Sequence, residues 1–391
     1  MGKTSTKRAI AKVLQAKCRV KFQDGNYNDI VTVPLVFFGH DLPNLINPFA
    51  WLAIFWDNER QLRKKYPYDV VIVEVGSDGP GQIRQYAQYL RADIAVLTGI
   101  APEHMEYFKT LDKVAKEEMS IAGLADELIY SRDLVDPKYA NQLPKDAKTY
   151  GLNKPADIQI TDVAFDGLES SFKVLKNGSS FFSSSHELIA QTLLYSAAAA
   201  IAVADELGLS VAEIKEGLAN IKPASGRMQI LKGIKSSTII DDTYNATPQT
   251  FKAALDTLYR LDAPQKIAIL GSMNELGDYA EAAHKEVGEY CDPKQIDLLV
   301  TIGADANKII AGQAEAVGFK VHRFTNPYAA GEFVKLLVEK GAVILAKGSQ
   351  NKIFAEEAVR LLLDDPADAS KLVRQSEYWR KRKKKALKGL M

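Results

Sequence analysis

At 391 residues, with 47% apolar and 25% charged side chains, the chain has the composition of a soluble globular protein with room for two or three cores. Its net charge of +1 gives no overall pull toward nucleic acid or a membrane, and two cysteines, Cys18 and Cys291, are too few for a disulfide framework or a cysteine-built metal site. No signal peptide and no transmembrane segment are expected, and both thiols read as free in a reducing cytoplasm.

The chain opens Met-Gly-Lys-Thr-Ser-Thr-Lys. Gly-Lys-Thr is the tail of a phosphate-binding loop, in which backbone N–H groups wrap phosphates, the Lys reaches the β- and γ-phosphates, and the hydroxyl ligates Mg²⁺. Gly2, Lys3, Thr4 and Ser5 take those positions. The motif's first glycine and its leading strand are absent. On its own the tetrapeptide also fits an ordinary basic N-terminus. Residues 4–16 read as the helix that follows, with Ile10, Ala11, Val13 and Leu14 as its apolar stripe.

Further along, residues 18–22 read as a short strand, 24–26 as a turn, and 31–38 as a β-rich run interrupted by Pro34. Residues 42–56 are the most apolar stretch. They are too short to span a bilayer and read as a buried or interface segment, with membrane-surface contact as the alternative. Residues 70–75 and 93–98 read as strands buried on both faces, with helices at 81–89 and 111–125. This alternation predicts a mostly parallel sheet. Residues 130–185, rich in turn signals, predict an antiparallel β insertion. Residues 186–207 and 211–221 predict two helices. Near residue 236 a second α/β pattern begins, with strands at 238–240, 266–270, 298–302 and 342–346. The expected domains are 1–235 and 236–391, the second a doubly wound Rossmann-like domain. The basic tail at 380–388 reads as a solvated, frayed helix end, with binding to an anionic partner as the alternative.

Four later stretches carry chemistry: Val-Ile-Val-Glu-Val-Gly-Ser-Asp-Gly-Pro-Gly at 71–81, Thr-Gly-Ile-Ala-Pro-Glu-His-Met-Glu-Tyr-Phe at 98–108, Ile-Ile-Asp-Asp-Thr-Tyr-Asn-Ala-Thr-Pro at 239–248, and Leu-Gly-Ser-Met-Asn-Glu-Leu-Gly at 270–277. Glu74 ends an apolar run beside a glycine-rich turn, where a carboxylate can hold Mg²⁺ opposite a phosphate loop. With the opening Gly-Lys-Thr-Ser, these stretches resemble the Mur ligase family in order and spacing over nearly the whole chain. The likeness is closest to the branch that adds D-alanyl-D-alanine to a UDP-MurNAc-tripeptide.

The resemblance implies an α/β fold: a P-loop-type central domain followed by a Rossmann-like C-terminal domain. Set against the family, the sequence is expected to lack the N-terminal UDP-sugar-binding domain. The resemblance also implies an ATP-dependent ligase of peptidoglycan precursor synthesis, cytoplasmic and monomeric, using ATP and Mg²⁺ on small-molecule substrates, with no nucleic acid. By resemblance Lys3, Glu74 and His104 are catalytic, and Thr4, Glu74 and His104 hold metal. The family's carbamylated lysine falls on Glu118, which can supply a similar charge or be an ordinary solvated helix residue. Gly99 stands where the family has Asn, and Gln350 where it has Arg. His186, at the start of the Ala-rich helix, Arg227 after Gly226, and Asp241 or Asp242 with Asn245 are implied nucleotide contacts, the last set on domain closure. Glu275 and His284 match positions around the amine-substrate cleft. Two other readings stay open: a related ATP-dependent carboxylate–amine ligase with another substrate, and a nucleotide-binding protein without turnover.

Overall fold

Gly2 adopts a left-handed backbone (φ 74°), which glycine takes without strain, and α1 (Lys3–Leu14) begins at the next residue. The fold is that of a computed structural model, which describes residues 2–23, 28–40, 43–44, 47–350 and 352–387. The turn expected at 24–26 lies outside the described residues. The chain forms two units, one of Met1–Leu188 with Leu193–Lys222, the other of Ile189–Thr192 with Pro223–Met391.

In the first unit β1 (Val20–Phe22) pairs in parallel with β2 (Val70–Ile72) as a two-stranded sheet. Between them lie α2 (Val33–Phe38) and α3 (Pro48–Leu62). Next come α4 (Gln82–Gln85), β3 (Ala92–Leu97), α5 (Met105–Phe108), α6 (Leu111–Met119), β4 (Ala125–Ser131), α7 (Pro137–Ala140) and β5 (Lys148–Gly151). The unit continues through β6 (Ile158–Asp166), β7 (Glu169–Lys176), β8 (Ser179–His186), α8 (Gln191–Glu206) and α9 (Val211–Ala219). A six-stranded sheet runs β3-β4-β5-β6-β7-β8, parallel as far as β6 and antiparallel beyond it. The antiparallel part expected at 130–185 is thus an extension of the main sheet. β2 and β3 do not pair; a cavity of about 630 Å³ lies between them, reaching Lys3, Glu74 and Glu118. α8 is buried nearly all round, as its run of alanines allows.

Several elements differ from the sequence expectation. Residues 33–38 are helical because Asp29 accepts from the Val31 and Thr32 N–H groups, Pro34 sits in the first turn, and Gly39 closes the helix at φ 75°. β2 is half-buried instead of covered on both faces, since only β1 pairs with it. The apolar stretch ending at Trp56 is not buried: α3 has no buried residue. Positions 41–42 and 45–46 of that stretch lie outside the described residues.

The second unit contains β9 (Gln229–Gly233), β10 (Ser237–Asp242), α10 (Pro248–Arg260), β11 (Lys266–Gly271), α11 (Ala280–Tyr290), β12 (Leu298–Ile302) and α12 (Ala311–Ala316). β13 (Val321–Phe324), α13 (Pro327–Leu337), β14 (Val343–Lys347), α14 (Glu356–Leu362) and α15 (Glu377–Leu387) complete it. Its sheet runs β13-β12-β11-β14-β10-β9, and only β9 is antiparallel to its neighbour. The unit begins at Pro223, ahead of residue 236, and includes β9, which pairs with β10. Its core is built from fully buried Ile239, Ile267, Ile269, Val300 and Ile344. β14 lies between β10 and β11, so the carboxyl ends of those strands form the switch point at which open α/β sheets hold ligands.

Candidate active site

In the first unit the site is built on the N-terminus of α1. The backbone N–H groups of Lys3, Thr4 and Ser5 precede the first intrahelical bond, from Thr6 N–H to the Gly2 carbonyl at 2.9 Å, so this helix end is suited to an anion. Lys3 Nζ donates to Glu118 Oε1 at 3.0 Å and to Glu103 Oε2 at 3.5 Å. Burial alone lowers the Lys3 pKa, but Glu118 and Glu103 outweigh it and hold the ammonium charged well above its ordinary range. Thr4 Oγ1 donates to Glu74 Oε1 at 3.0 Å, and the Glu74 backbone N–H donates to Gln23 Oε1 at 2.9 Å. Lys7 Nζ lies 3.1 Å from Glu74 Oε2, with both side chains buried.

Lys7, a charged residue of α1, is the buried counter-ion of Glu74. Glu117 is also buried; its carboxylate accepts from the Gly81 and Ile83 backbone N–H groups at the entry to α4. The signal for both was available: Lys7 lies one helical turn from Lys3, and Glu117 one turn from Val114 on the buried face of α6.

His104 caps α5 in a left-handed conformation (φ 50°), with Nε2 3.5 Å from Asp78 Oδ1. Among the described residues no three His, Cys, Asp or Glu side chains converge as a metal cage. The residues therefore fit a metal only in part. Thr4 and Glu74 offer adjoining oxygens, the donor type Mg²⁺ takes alongside phosphate and water. Glu118 is engaged by Lys3, and His104 faces Asp78. Gly99 has a local reason: at φ 150° its missing Cβ would stand 2.8 Å from the Leu134 Cβ, beside the bond from Ile100 N–H to the Leu134 carbonyl.

His186 does not start a helix; it ends β8, opposite Ser170, and α8 begins at Gln191. Its Nε2 lies 2.7 Å from Ser184 Oγ and its ring lies against Phe172. Burial, with Lys215 nearby, lowers its pKa.

In the second unit the candidate residues gather at the ends of β10 and β14. Asp241 is fully buried, and its Oδ1 accepts from the Thr243 N–H at 3.2 Å and hydroxyl at 2.6 Å. These bonds, both to Oδ1, shape the turn that follows β10. Burial pushes the Asp241 carboxyl up to about 7, with Glu356 and Asp242 adding to the rise. Asp242 is the better placed of the pair. Its Oδ2 accepts from Lys347 Nζ, and its Oδ1 accepts from the Met228 N–H at 3.1 Å. Lys347 also donates to the Asn245 carbonyl at 3.1 Å, and Ser349 Oγ donates to Asn245 Oδ1 at 3.2 Å. Asn245 is exposed. The Arg227 guanidinium stacks 4.2 Å from the Tyr244 ring centre, and Tyr244 N–H donates to the Gly226 carbonyl at 3.0 Å.

Two residues matched to the amine cleft differ in kind. Glu275 sits in a loop at φ 64°. His284 is fully buried, with Nε2 accepting from Met273 N–H at 2.9 Å and Nδ1 2.7 Å from the Ala280 carbonyl, so both ring nitrogens serve the fold. The basic tail is solvated at Arg380, Lys381, Arg382, Lys384 and Lys385 and is anchored at Lys383. Lys383 is 3% exposed and pairs with Glu356 and Glu357, while Arg374 pairs with Glu356 and donates to the Thr243 and Tyr244 carbonyls.

Comparison with known proteins agrees with this arrangement. Residues 56–204 match the Mur ligase middle domain and residues 226–350 match the Mur ligase, glutamate ligase domain. The chain is 29% identical over 370 residues to the UDP-N-acetylmuramoyl-tripeptide--D-alanyl-D-alanine ligase of Bacillus subtilis (strain 168), covering 93% of this chain and 74% of that one. It is 26% identical to the enzyme of the same name from Escherichia coli (strain K12), covering 93% and 75%. In fold it is similar to the MurF ligase of Thermotoga maritima in complex with ADP, with a TM-score of 0.75, 22% identity, and coverage of 92% of this chain and 77% of that one. With the middle and the glutamate ligase domains both matched, and in order, the chain belongs to the Mur ligase family.

Proposed function

We propose that this protein is an ATP-dependent ligase of peptidoglycan precursor synthesis, joining D-alanyl-D-alanine to a UDP-MurNAc-tripeptide. The observation that carries the reading is the grouping of Lys3, Thr4 and Glu74 at the open N-terminus of a 12-residue helix. The names of the Bacillus and Escherichia relatives support the substrate assignment.

In this reading the α1 N–H groups and the Lys3 ammonium hold the β- and γ-phosphates of ATP. The acceptor carboxylate attacks the γ-phosphorus, the bond to the ADP oxygen breaks, and an acyl phosphate forms. The amine of the dipeptide then attacks the acyl carbon, and inorganic phosphate leaves with the former carboxylate oxygen. The chain's contribution is positioning and charge stabilisation. Glu118 and Glu103 hold Lys3 in place as a permanent cation. Thr4 and Glu74 are the residues suited to Mg²⁺, which when bound supplies positive charge to the phosphates. Asp242, Asn245, Lys347 and Arg227 offer the second unit's polar contacts. We place the reaction in the cytoplasm, with a single chain as the working unit.

The test is ADP release measured with UDP-MurNAc-tripeptide and D-alanyl-D-alanine, separately and together. Release only with both supports the proposal. Release with a different carboxylate and amine reassigns the substrates, and ATP binding without release in any combination reassigns the chain as a nucleotide-binding protein.

A further inference from the structure

α3 is built inside out. Its backbone is a well-made helix: Asn47 caps it by accepting from the Phe49 and Ala50 N–H groups, and Pro48 occupies the first turn. At about 100° per residue, Asp57, Asn58 and Gln61 fall on one side and Phe49, Leu52, Phe55, Trp56 and Leu62 on the other. Asp57, Asn58 and Gln61 face the protein together with half-buried Ala50, Trp51 and Ile54. Gln61 Nε2 donates to the Phe38 carbonyl at 3.0 Å and to Asp57 Oδ2 at 2.6 Å, and Asn58 Oδ1 lies 2.7 Å from His40 Nε2. The apolar side faces outward: Phe49 is 78% exposed, Trp56 70% and Leu62 67%. A helix of a water-surrounded protein turns its apolar stripe inward. This one is held in the opposite orientation by hydrogen bonds to Phe38, the last residue of α2, and to His40 just beyond it.

The charges beside the apolar face indicate what covers it. The outward arc and the end of the helix carry Arg60, Arg63, Lys64 and Lys65, all exposed, against one outward acid, Glu59. Aromatic and leucine side chains on one convex face, with arginine and lysine at its border, match the chemistry of an anionic phospholipid surface: rings enter the headgroup boundary and cations meet phosphates. Fifteen residues span about 22 Å, less than a hydrocarbon core, and no described helix is long and apolar enough to cross a membrane. A helix of this kind that meets a membrane lies along its surface.

We propose that α3 is a membrane-surface anchor that docks this protein on anionic phospholipid. Phe49, Leu52, Phe55 and Trp56 insert at the interface, and Arg60, Arg63, Lys64 and Lys65 contact the headgroups. The proposal is independent of the ligase reading.

The test uses the whole chain with two kinds of vesicle, pure phosphatidylcholine and phosphatidylcholine containing about one third phosphatidylglycerol. Sedimentation with vesicles should favour the anionic ones, and Trp56 emission should shift to the blue in a variant carrying Trp51→Phe and Trp379→Phe. Each of Arg63→Gln and Lys64→Gln should lower partition about fivefold. The pair Phe55→Ser and Trp56→Ser should abolish it, with the melting temperature of the chain retained because both side chains are exposed. Equal partition to both vesicles, or undiminished partition of the Phe55/Trp56 variant, overturns the proposal. So does a lipid-free dimer in sedimentation velocity that the Phe55/Trp56 variant dissolves, since a second copy would then cover the face.

Discussion

Lys3 donates its ammonium to the Glu118 carboxylate at 3.0 Å, joining two residues 115 positions apart in the chain. The contact ties α6 to the N-terminus of α1. Under the proposed function it aims the phosphate-binding cation and gives Glu118 a role that needs no modified lysine.

Glu118→Gln should therefore weaken ATP binding by about tenfold and abolish ADP release, because it removes a charge-assisted hydrogen bond from a cation at the reaction centre. Titration calorimetry with ATP reads the first effect and a coupled ADP assay the second. Thermal melting should change little. Unaltered ATP affinity would return Glu118 to the status of a bystander.

The tail helix should matter for stability. Lys383→Met leaves Glu356 and Glu357 buried without one of their cations, and a loss of roughly 3 kcal/mol is expected in urea unfolding. Lys381→Met, whose partner Glu377 is exposed like itself, should cost less than about 0.5 kcal/mol.

Asp241 predicts a pH dependence with a definite sign. Its carboxyl titrates at about 7 in the folded protein and at the ordinary 3.8 when unfolded, so the native state holds the proton longer. Stability contributed by this group is highest below the unfolded value, falls as pH rises through the interval, and levels off above 7. Asp241→Asn keeps an Oδ1 acceptor for Thr243 and cannot ionise. Its melting temperature should gain on the parent between pH 5 and pH 8, by the equivalent of roughly 2 kcal/mol.

Gly217 is a packing test of the phosphate site. A Cβ there would stand 2.4 Å from Val13 Cα, so α1 and α9 touch through backbone. Gly217→Ala should destabilise the first unit by roughly 2 kcal/mol and, by pushing on α1, weaken ATP binding. Differential scanning calorimetry and ATP titration on the same sample measure both.

The second unit was the more legible in the sequence. Its strands are continuous apolar runs fixed by burial on both faces, and residues 267–270, 298–300 and 344–346 fell where the composition placed them. The motif residues Lys3, Thr4, Glu74 and Glu118 were also found together. What escaped reading depends on partners far along the chain. Residues 31–38 have strand-forming side chains, yet Asp29, Pro34 and Gly39 make a helix of 33–38. Lys7, Glu117 and Lys383 looked solvated because a charged residue is ordinarily exposed; only the fold brings Glu74, the Gly81 N–H and Glu356 to them. Asp241 and Asp242 are adjacent in sequence, and the pleat alone decides that one supports a turn while the other meets Lys347.

The gap between β2 and β3 has a mechanical consequence. No ladder of backbone bonds crosses it, so load between the two sheets of the first unit travels through side chains, and the Glu117 clasp on Gly81 and Ile83 is one such tie. A ladder resists shear along its whole length, whereas a clasp releases at once when its carboxylate lets go. The first unit therefore has a seam. Under heat or protease it should part along β2 and β3 before the six-stranded ladder of the second unit loosens, and the strand amides on either side of the seam should be the first to exchange with solvent.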